Sequence, residues 1–277
     1  MSTKTKYALQ KTILFILNLL FSLVVIFPIL YCFNVSNMTK TELYSWPPLF
    51  LPSHFSLDNY KEALRLAPFF RFILNSLIVA SAATASQLIS GSLAAYAFAM
   101  FKFRGKQVIF FIMLCTMMIP GQAILVANYL TISKWHIMDT YAALILPNMA
   151  TAFAVFNMRQ AFLSLPMELK EASMIDGCPH FKFFYMIGLP LVKPFLGALG
   201  IYTFLECWNH YTWPLLVTNS VNMRTVQIGL GMLQGAESTS FGPVMAGAMM
   251  ILFPSLIAFI LGQKQLVEGL TSGAVKG

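Results

Sequence analysis

Ten carboxylates, four histidines and four cysteines are the groups in this chain that most often carry acid–base or metal chemistry, and they are scattered. The cysteines at 32, 115, 178 and 207 have no paired spacing, so neither a disulfide framework nor a zinc site is indicated. His54, His136, His180 and His210 are equally far apart and read as interfacial or loop residues rather than ligands. Phosphate cradling needs a glycine-rich loop that ends in Gly-Lys-Ser/Thr. The Gly105-Lys106 pair lacks both the earlier glycine and the hydroxyl residue after it. There is no HExxH and no GxSxG. Catalytic residues, a metal site and a bound cofactor are therefore not expected in this chain.

Two polar sets remain. One is thinly spread through apolar sequence: Glu206 with Asn209 and His210 close by, and Asn75, Gln87, Asn148 and Asn157. Polar groups in a membrane are costly unless they face one another or a cavity, so Glu206 reads either as a path-lining or gating acid or as a helix end that reaches water. The asparagines and Gln87 read as interhelical hydrogen-bonding residues more readily than as substrate contacts. The other set is a continuous polar stretch over 163–190, and its positioning follows from the elements around it.

Those elements are membrane spans. Hydrophobic residues make up 58% of the 277 and charged residues 10%, with a mean hydropathy of +0.71, whereas soluble domains carry about a quarter charged residues. Thr12 to Thr39 holds no charge, enough for a helix of roughly 20 apolar residues to cross the hydrocarbon core. The lysines at 4, 6 and 11 resemble the start of a signal peptide, but the apolar run is too long and no small-x-small site follows, so an uncleaved anchor is expected. Hydropathy predicts five further spans near 72–100, 107–130, 141–162, 189–217 and 241–262, six helices in a single membrane domain of residues 1–277. Of the 18 Lys and Arg, twelve fall on the side of the termini and six on the other, which predicts that both termini are cytoplasmic. Basic loops at an anionic leaflet then account for the net charge of +8 without nucleic acid.

Within the spans, Ala82, Ser86 and Ser90 recur at four-residue steps and Gly91 precedes Ala95 by four, a spacing that lets helices approach closely. Pro120-Gly121, Pro147 and Pro254 are expected to kink their spans. The outer segment 40–71 holds Trp46-Pro47-Pro48 and an amphipathic stretch from Leu57 to Leu66, either an interfacial helix or a surface that receives a partner.

Residues 163–190 read as two short helices joined by a turn. Pro166 suits a first helical position, and Glu168 and Glu171 complement the positive end of the helix dipole. Leu169, Ala172 and Ile175 share a face, and Asp176-Gly177 closes the helix, since glycine adopts the left-handed conformation without a Cβ penalty. Pro179 restarts a helix that runs into the fifth span. The segment is either an interfacial connector or a lever on which a cytoplasmic partner docks.

Glu171-Ala172-Ser173, three residues, Gly177, nine residues, then Ile187-Gly188-Leu189-Pro190 resembles the EAA signature of the permease subunits of ATP-binding-cassette importers. Ser173 replaces the usual alanine, small for small. Asn75-Ser76-Leu77, Ala95-Tyr96-Ala97-Phe98, Met118-Ile119-Pro120, Trp208-Asn209, Trp213-Pro214-Leu215 and the ending from Val267 to Gly277 are similar to blocks of the maltose and glycerol-3-phosphate type. The resemblance implies an all-α permease of type I fold in the inner or plasma membrane of a prokaryote. It also implies a core at 72–262, coupling helices at 163–190 and a cytoplasmic tail at 263–277.

The partners it implies are a homologous second permease, two ATPase subunits that carry ATP and Mg, an extracytoplasmic solute-binding protein and membrane lipid. The docking residues would be Glu168, Glu171, Ala172, Ser173, Asp176, Gly177, Ile187, Leu189 and Pro190, with the tail as a second contact. Asn75, Gln87, Asn148, Glu206 and Asn209 are the candidates for the translocation path. The alternative from the residues alone is a stand-alone secondary transporter or channel coupled through Glu206, against which the absence of an evident inverted repeat argues.

Overall fold

A computed structural model describes residues 3–235 and 241–272. Among these residues the chain is all helical: α1 (Thr3–Ser36), α2 (Lys40–Leu43), α3 (Asp58–Leu66), α4 (Phe69–Met100), α5 (Lys106–Thr116), α6 (Gly121–Lys134) and α7 (Tyr141–Ile145) come first. They are followed by α8 (Ala152–Leu163), α9 (Met167–Ile175), α10 (His180–Phe183), α11 (Leu189–Leu191), α12 (Lys193–Asn209), α13 (Thr212–Val217), α14 (Val226–Gly235) and α15 (Phe241–Ser272).

Three helices contain an unbroken stretch long and apolar enough to cross a membrane, over Gln10–Ser36, Phe69–Met100 and Phe241–Gln265. The other apolar stretches are bent pairs. Lys106–Thr116 and Gly121–Lys134 meet at 95°, Tyr141–Asn148 and Ala152–Leu163 at 47°, and His180–Leu191 and Lys193–Asn209 at 76°. The spans that hydropathy predicts over 107–130 and 141–162 are thus interrupted near the prolines expected to kink them, the one over 189–217 is interrupted where no kink is expected, and the span with Pro254 is not interrupted. The physical cause is local in every case. Pro120 caps α6 instead of continuing α5, and Pro147 sits in a 3-10 turn at Leu146–Asn148. Pro190 lacks the N–H that a helix would donate to the Met186 carbonyl, and the ladder there widens to a π-helix over Phe184–Gly188. Pro28 and Pro254 lie inside continuous helices. The sixth apolar stretch also runs on, as helix, from Gln263 to Ser272, where a tail is expected from the sequence. Residues 273–277 of that tail lie outside the described residues.

The chain forms two compact units, residues 1–69 with 229–252, and 70–228 with 253–277. In the first, α1 ends where Asn59 donates to the carbonyls of Ser36 and Met38 at 3.1 and 2.7 Å, satisfying acceptors that a helix end leaves open. The loop after α1 is held by Glu42, which closes a capping box with Thr39 and accepts from the Ser53 backbone N–H at 2.8 Å and from the Ser53 hydroxyl. The Ser53 hydroxyl, with the backbone and side-chain bonds of Thr39 and the Ser53 N–H, holds the carboxyl down at about 2. The amphipathic stretch at 57–66 is α3.

The second unit has two cores strung along α4. One joins Val79 to Ile132, Ala143, Leu144, Trp213 and Val217, where the buried Trp213 indole donates to the Ala143 carbonyl at 3.0 Å. The other joins Ala95, Tyr96 and Met100 to Ala154, Met158, Phe162, Phe183, Phe184 and Val192. Here the small-residue spacing has its effect. A methyl group on Gly91 would lie 3.0 Å from the Ala154 side chain and 3.3 Å from its backbone carbon, so α4 and α8 pack nearly backbone to backbone.

Candidate functional site

The polar bracket at 163–190 forms two short helices joined by a turn. Pro166 caps α9, one position before the first helical residue, with extended backbone at φ −58° and ψ 130°. Glu168 lies in the first turn and Glu171 in the second. At the far end Gly177 has φ +72°. Its N–H donates to the Met174 carbonyl at 3.1 Å and the Cys178 N–H to the Ser173 carbonyl at 2.9 Å. These are the two bonds of a Schellman closure, which needs a left-handed residue at the Gly177 position. Pro179 then caps α10.

The nine docking candidates separate into two sides. Glu168, Glu171, Ala172, Asp176, Gly177 and Pro190 are exposed. Ser173 is buried, and its hydroxyl donates to the Lys170 carbonyl at 2.7 Å, so the one departure from alanine leaves no unsatisfied group behind the helix. Ile187 and Leu189 pack against the core around Phe162 and Phe183. The apolar stripe of Leu169, Ala172 and Ile175 faces outward, with Ile175 87% exposed.

What holds the bracket from behind was not legible from sequence spacing. The Lys170 ammonium donates to the Met100 carbonyl at 2.5 Å, at the C-terminus of α4. Tyr96, also on α4, donates to the His180 carbonyl at 3.1 Å. The Tyr96 ring is packed by Phe101, Phe162, Phe183 and Phe184 at centroid distances of 5.5, 5.5, 6.3 and 5.1 Å. His180 meets the edge of Phe101 at 4.9 Å. These contacts tie the bracket to the end of α4 as well as to the fifth span, and the route into α12 passes through the bend at the fully buried Val192.

The five path candidates are not brought together. Asn75 is fully buried, donates to the carbonyls of Asn222 and Arg224, both at 2.8 Å, and accepts from the Tyr141 hydroxyl at 2.7 Å. Gln87 is also buried, donates to the Asn148 carbonyl at 2.8 Å and accepts from Thr151 at 3.1 Å. The Asn148 side chain turns back on the Leu144 carbonyl at 3.4 Å. These three have committed their donors to fastening helix breaks and loops, the interhelical role that a buried amide fills. Glu206 and Asn209 are exposed, three residues apart near the end of α12, and Gln227 donates to Asn209 at 3.2 Å. A cavity of about 210 Å³ lies beside the helix break at Pro147, lined by Asn128, Thr131 and Trp135 among others, and none of the five candidates lines it.

Over residues 87–265 the chain matches the family described as binding-protein-dependent transport system inner membrane component. It is 37% identical over 257 residues to the sn-glycerol-3-phosphate transport system permease protein UgpE of Brucella melitensis, covering 90% of this chain and 91% of that one. It is 34% identical over 257 residues to the arabinooligosaccharides transport system permease protein AraQ of Halalkalibacterium halodurans, covering 92% of each. The fold matches a chain of a bacterial ABC transporter involved in the import of the acidic polysaccharide alginate, with a TM-score of 0.80 and 22% identity over 95% of this chain and 98% of that one.

Proposed function

Because the chain belongs to the binding-protein-dependent transport system inner membrane components, we propose that it is the membrane-spanning permease subunit of an ATP-binding-cassette importer for a sugar or a glycerol-3-phosphate-like solute. The three long helices and three bent pairs are then six spans, and the two-to-one excess of Lys and Arg supports cytoplasmic termini. A second homologous permease completes the pore. Two separate ATPase subunits bind ATP and Mg, and an extracytoplasmic binding protein delivers the solute. The solute class is drawn from the relatives, one named for glycerol-3-phosphate and one for arabinooligosaccharides.

The observation that carries this reading is the two-sidedness of the bracket. Its back is bonded to α4 through Lys170 and Tyr96, while Leu169, Ala172 and Ile175 stand uncovered between Glu168, Glu171 and Asp176. A rigid back and an open apolar front are what a lever needs if an ATPase is to push on it.

Ile175→Asp tests the contact, because it places a charge where an apolar partner groove would close and disturbs nothing behind it. Expected is loss of ATPase co-purification and of ATP-driven uptake in vesicles, with the membrane domain still monodisperse. Uptake by this chain alone, driven by an ion gradient and indifferent to ATP, would overturn the importer reading in favour of a secondary transporter.

A further inference from the structure

The C-terminus of α4 is surrounded by cations. Lys106 donates to the Phe101 carbonyl at 2.9 Å, Arg159 to the Phe98 carbonyl at 3.4 Å and Lys170 to the Met100 carbonyl at 2.5 Å. Those carbonyls lie within one helical turn, about 5 Å of rise, so three positive charges converge on one helix end. Lys102 and Arg104 stand exposed in the segment that follows. A helix C-terminus offers about half a negative charge in return. None of the five cations makes an ion pair among the described residues, unlike Lys61 with Asp58 and Arg65 with Glu62. Among the described residues this positive charge has no neutralising carboxylate partner.

Two adjoining cavities open at the same place. One, of about 440 Å³, is lined by Lys106 and Arg159 at one end and by Phe110, Phe111 and Leu114 further along α5. The other, of about 410 Å³, shares Lys106 and adds Lys102. Arg159 is held in place by the Phe110 ring, whose centroid is 4.2 Å from the guanidinium carbon. From Lys106 to Leu114 the groove follows α5 for about 12 Å, and no residue of that helix is buried. A charged mouth beside an apolar wall that is half-buried at Phe110 and Leu114 and exposed at Phe111 has the amphipathic form of a phospholipid.

We propose that this is a binding site for an anionic phospholipid, its phosphate held by Lys102, Lys106 and Arg159 and an acyl chain laid along Phe110, Phe111 and Leu114. A free anion would have no use for the aromatic wall, and an acidic protein segment would leave that wall uncovered. The proposal rests on the chain spanning a membrane and is independent of its solute and of its ATPase.

The test uses the full chain, purified in detergent, stripped of lipid and titrated with dioleoylphosphatidylglycerol, dioleoylphosphatidylcholine or inorganic phosphate, with bound lipid counted by native mass spectrometry. Phosphatidylglycerol should be retained over phosphatidylcholine. Each lysine near an anionic headgroup contributes about a fivefold preference. Lys102→Gln and Lys106→Gln should each therefore weaken phosphatidylglycerol about fivefold, and the pair roughly 25-fold, without change for phosphatidylcholine.

Lys102 is exposed and makes no side-chain hydrogen bond or ion pair among the described residues, so its variant keeps the fold whatever Lys106→Gln does. Equal retention of the two lipids, or phosphatidylglycerol binding unchanged in the double variant, overturns the proposal. So does phosphate that displaces the lipid at equal concentration, which would mark a free-anion site. A chain that binds phosphatidylglycerol but, assembled with a second permease, ATPases and a binding protein, fails ATP-driven uptake sinks the importer reading and leaves the lipid site standing.

Discussion

Replacing Gly177 isolates the turn of the bracket from everything around it. The residue sits at φ +72°, and nothing lies within 4 Å of where a Cβ would be, so a side chain there meets no neighbour and the whole cost is conformational. For an L-residue the left-handed region costs about 1–2 kcal/mol. The turn is closed by two bonds, from Gly177 to Met174 and from Cys178 to Ser173, each worth about 1 kcal/mol net. Strain and bonds are therefore nearly balanced in Gly177→Leu. A penalty of 1–2 kcal/mol shifts the opening equilibrium by about 5–30-fold, and the freed turn displaces Asp176 and Ile175 from the docking face.

Asparagine visits the left-handed region far more readily, so Gly177→Asn should keep the turn although its side chain has as many heavy atoms as that of leucine. Amide exchange at Cys178, followed by mass spectrometry in detergent, reads the opening directly. ATP-driven uptake in vesicles reads its consequence. Gly177→Leu should exchange about 5–30-fold faster and transport poorly while melting at nearly the parental temperature, and Gly177→Asn should behave as parent in all three. Unchanged exchange in Gly177→Leu, or equal damage from asparagine and leucine, would refute the argument that conformation at this residue sets the turn.

Tyr96→Phe keeps the ring cluster and removes only the bond to His180. It should cost about 1 kcal/mol and loosen the bracket, seen as a lower melting temperature and faster exchange around His180 with the core aromatics undisturbed. Asn75→Leu removes the donor to the Asn222 and Arg224 carbonyls and the acceptor of the Tyr141 hydroxyl, while the Asn222 carbonyl keeps Arg71 at 3.2 Å. With each lost bond worth about 1 kcal/mol net, the expected result is a lower melting temperature with protease cleavage at 219–225.

Glu42, held at about 2 against an ordinary 4.5, steadies the loop at 39–53 in its ionised form. A depressed carboxylate contributes stability above its unfolded value and loses it as the pH falls towards its folded one. The loop should therefore resist pepsin at pH 4.5 and become cleavable between pH 4.5 and 2, whereas Glu42→Gln should be cleaved across that window with no pH dependence.

Hydropathy and punctuation made the apolar stretches, the polar bracket and the closing glycine legible, because each is a property of neighbours along the chain. Asp176-Gly177 spells a helix end wherever it lies, and Pro120 and Pro147 mark where a helix cannot run straight, whereas Pro254 was expected to do the same and lies inside a continuous helix. The size of each bend was not legible, since 95° at Gly121 and 47° at Ala152 depend on what the flanking helices pack against. Thr39-Lys40-Thr41-Glu42 is a capping-box signature within the sequence, but the Ser53 bonds that lower the carboxyl come from eleven residues on.

The apolar membrane character of the chain and the place of its polar bracket were determined by the sequence alone, because burial of apolar surface follows composition summed over a window. Only the tertiary structure decided which side of that bracket is open. Lys170 finds Met100 across seventy residues, and Asn75 finds Arg224 across 149. Such pairings decide whether a polar residue is a fastening, a contact surface or a binding group. They are set by where helix ends and breaks come to rest, and no local pattern of residues encodes that.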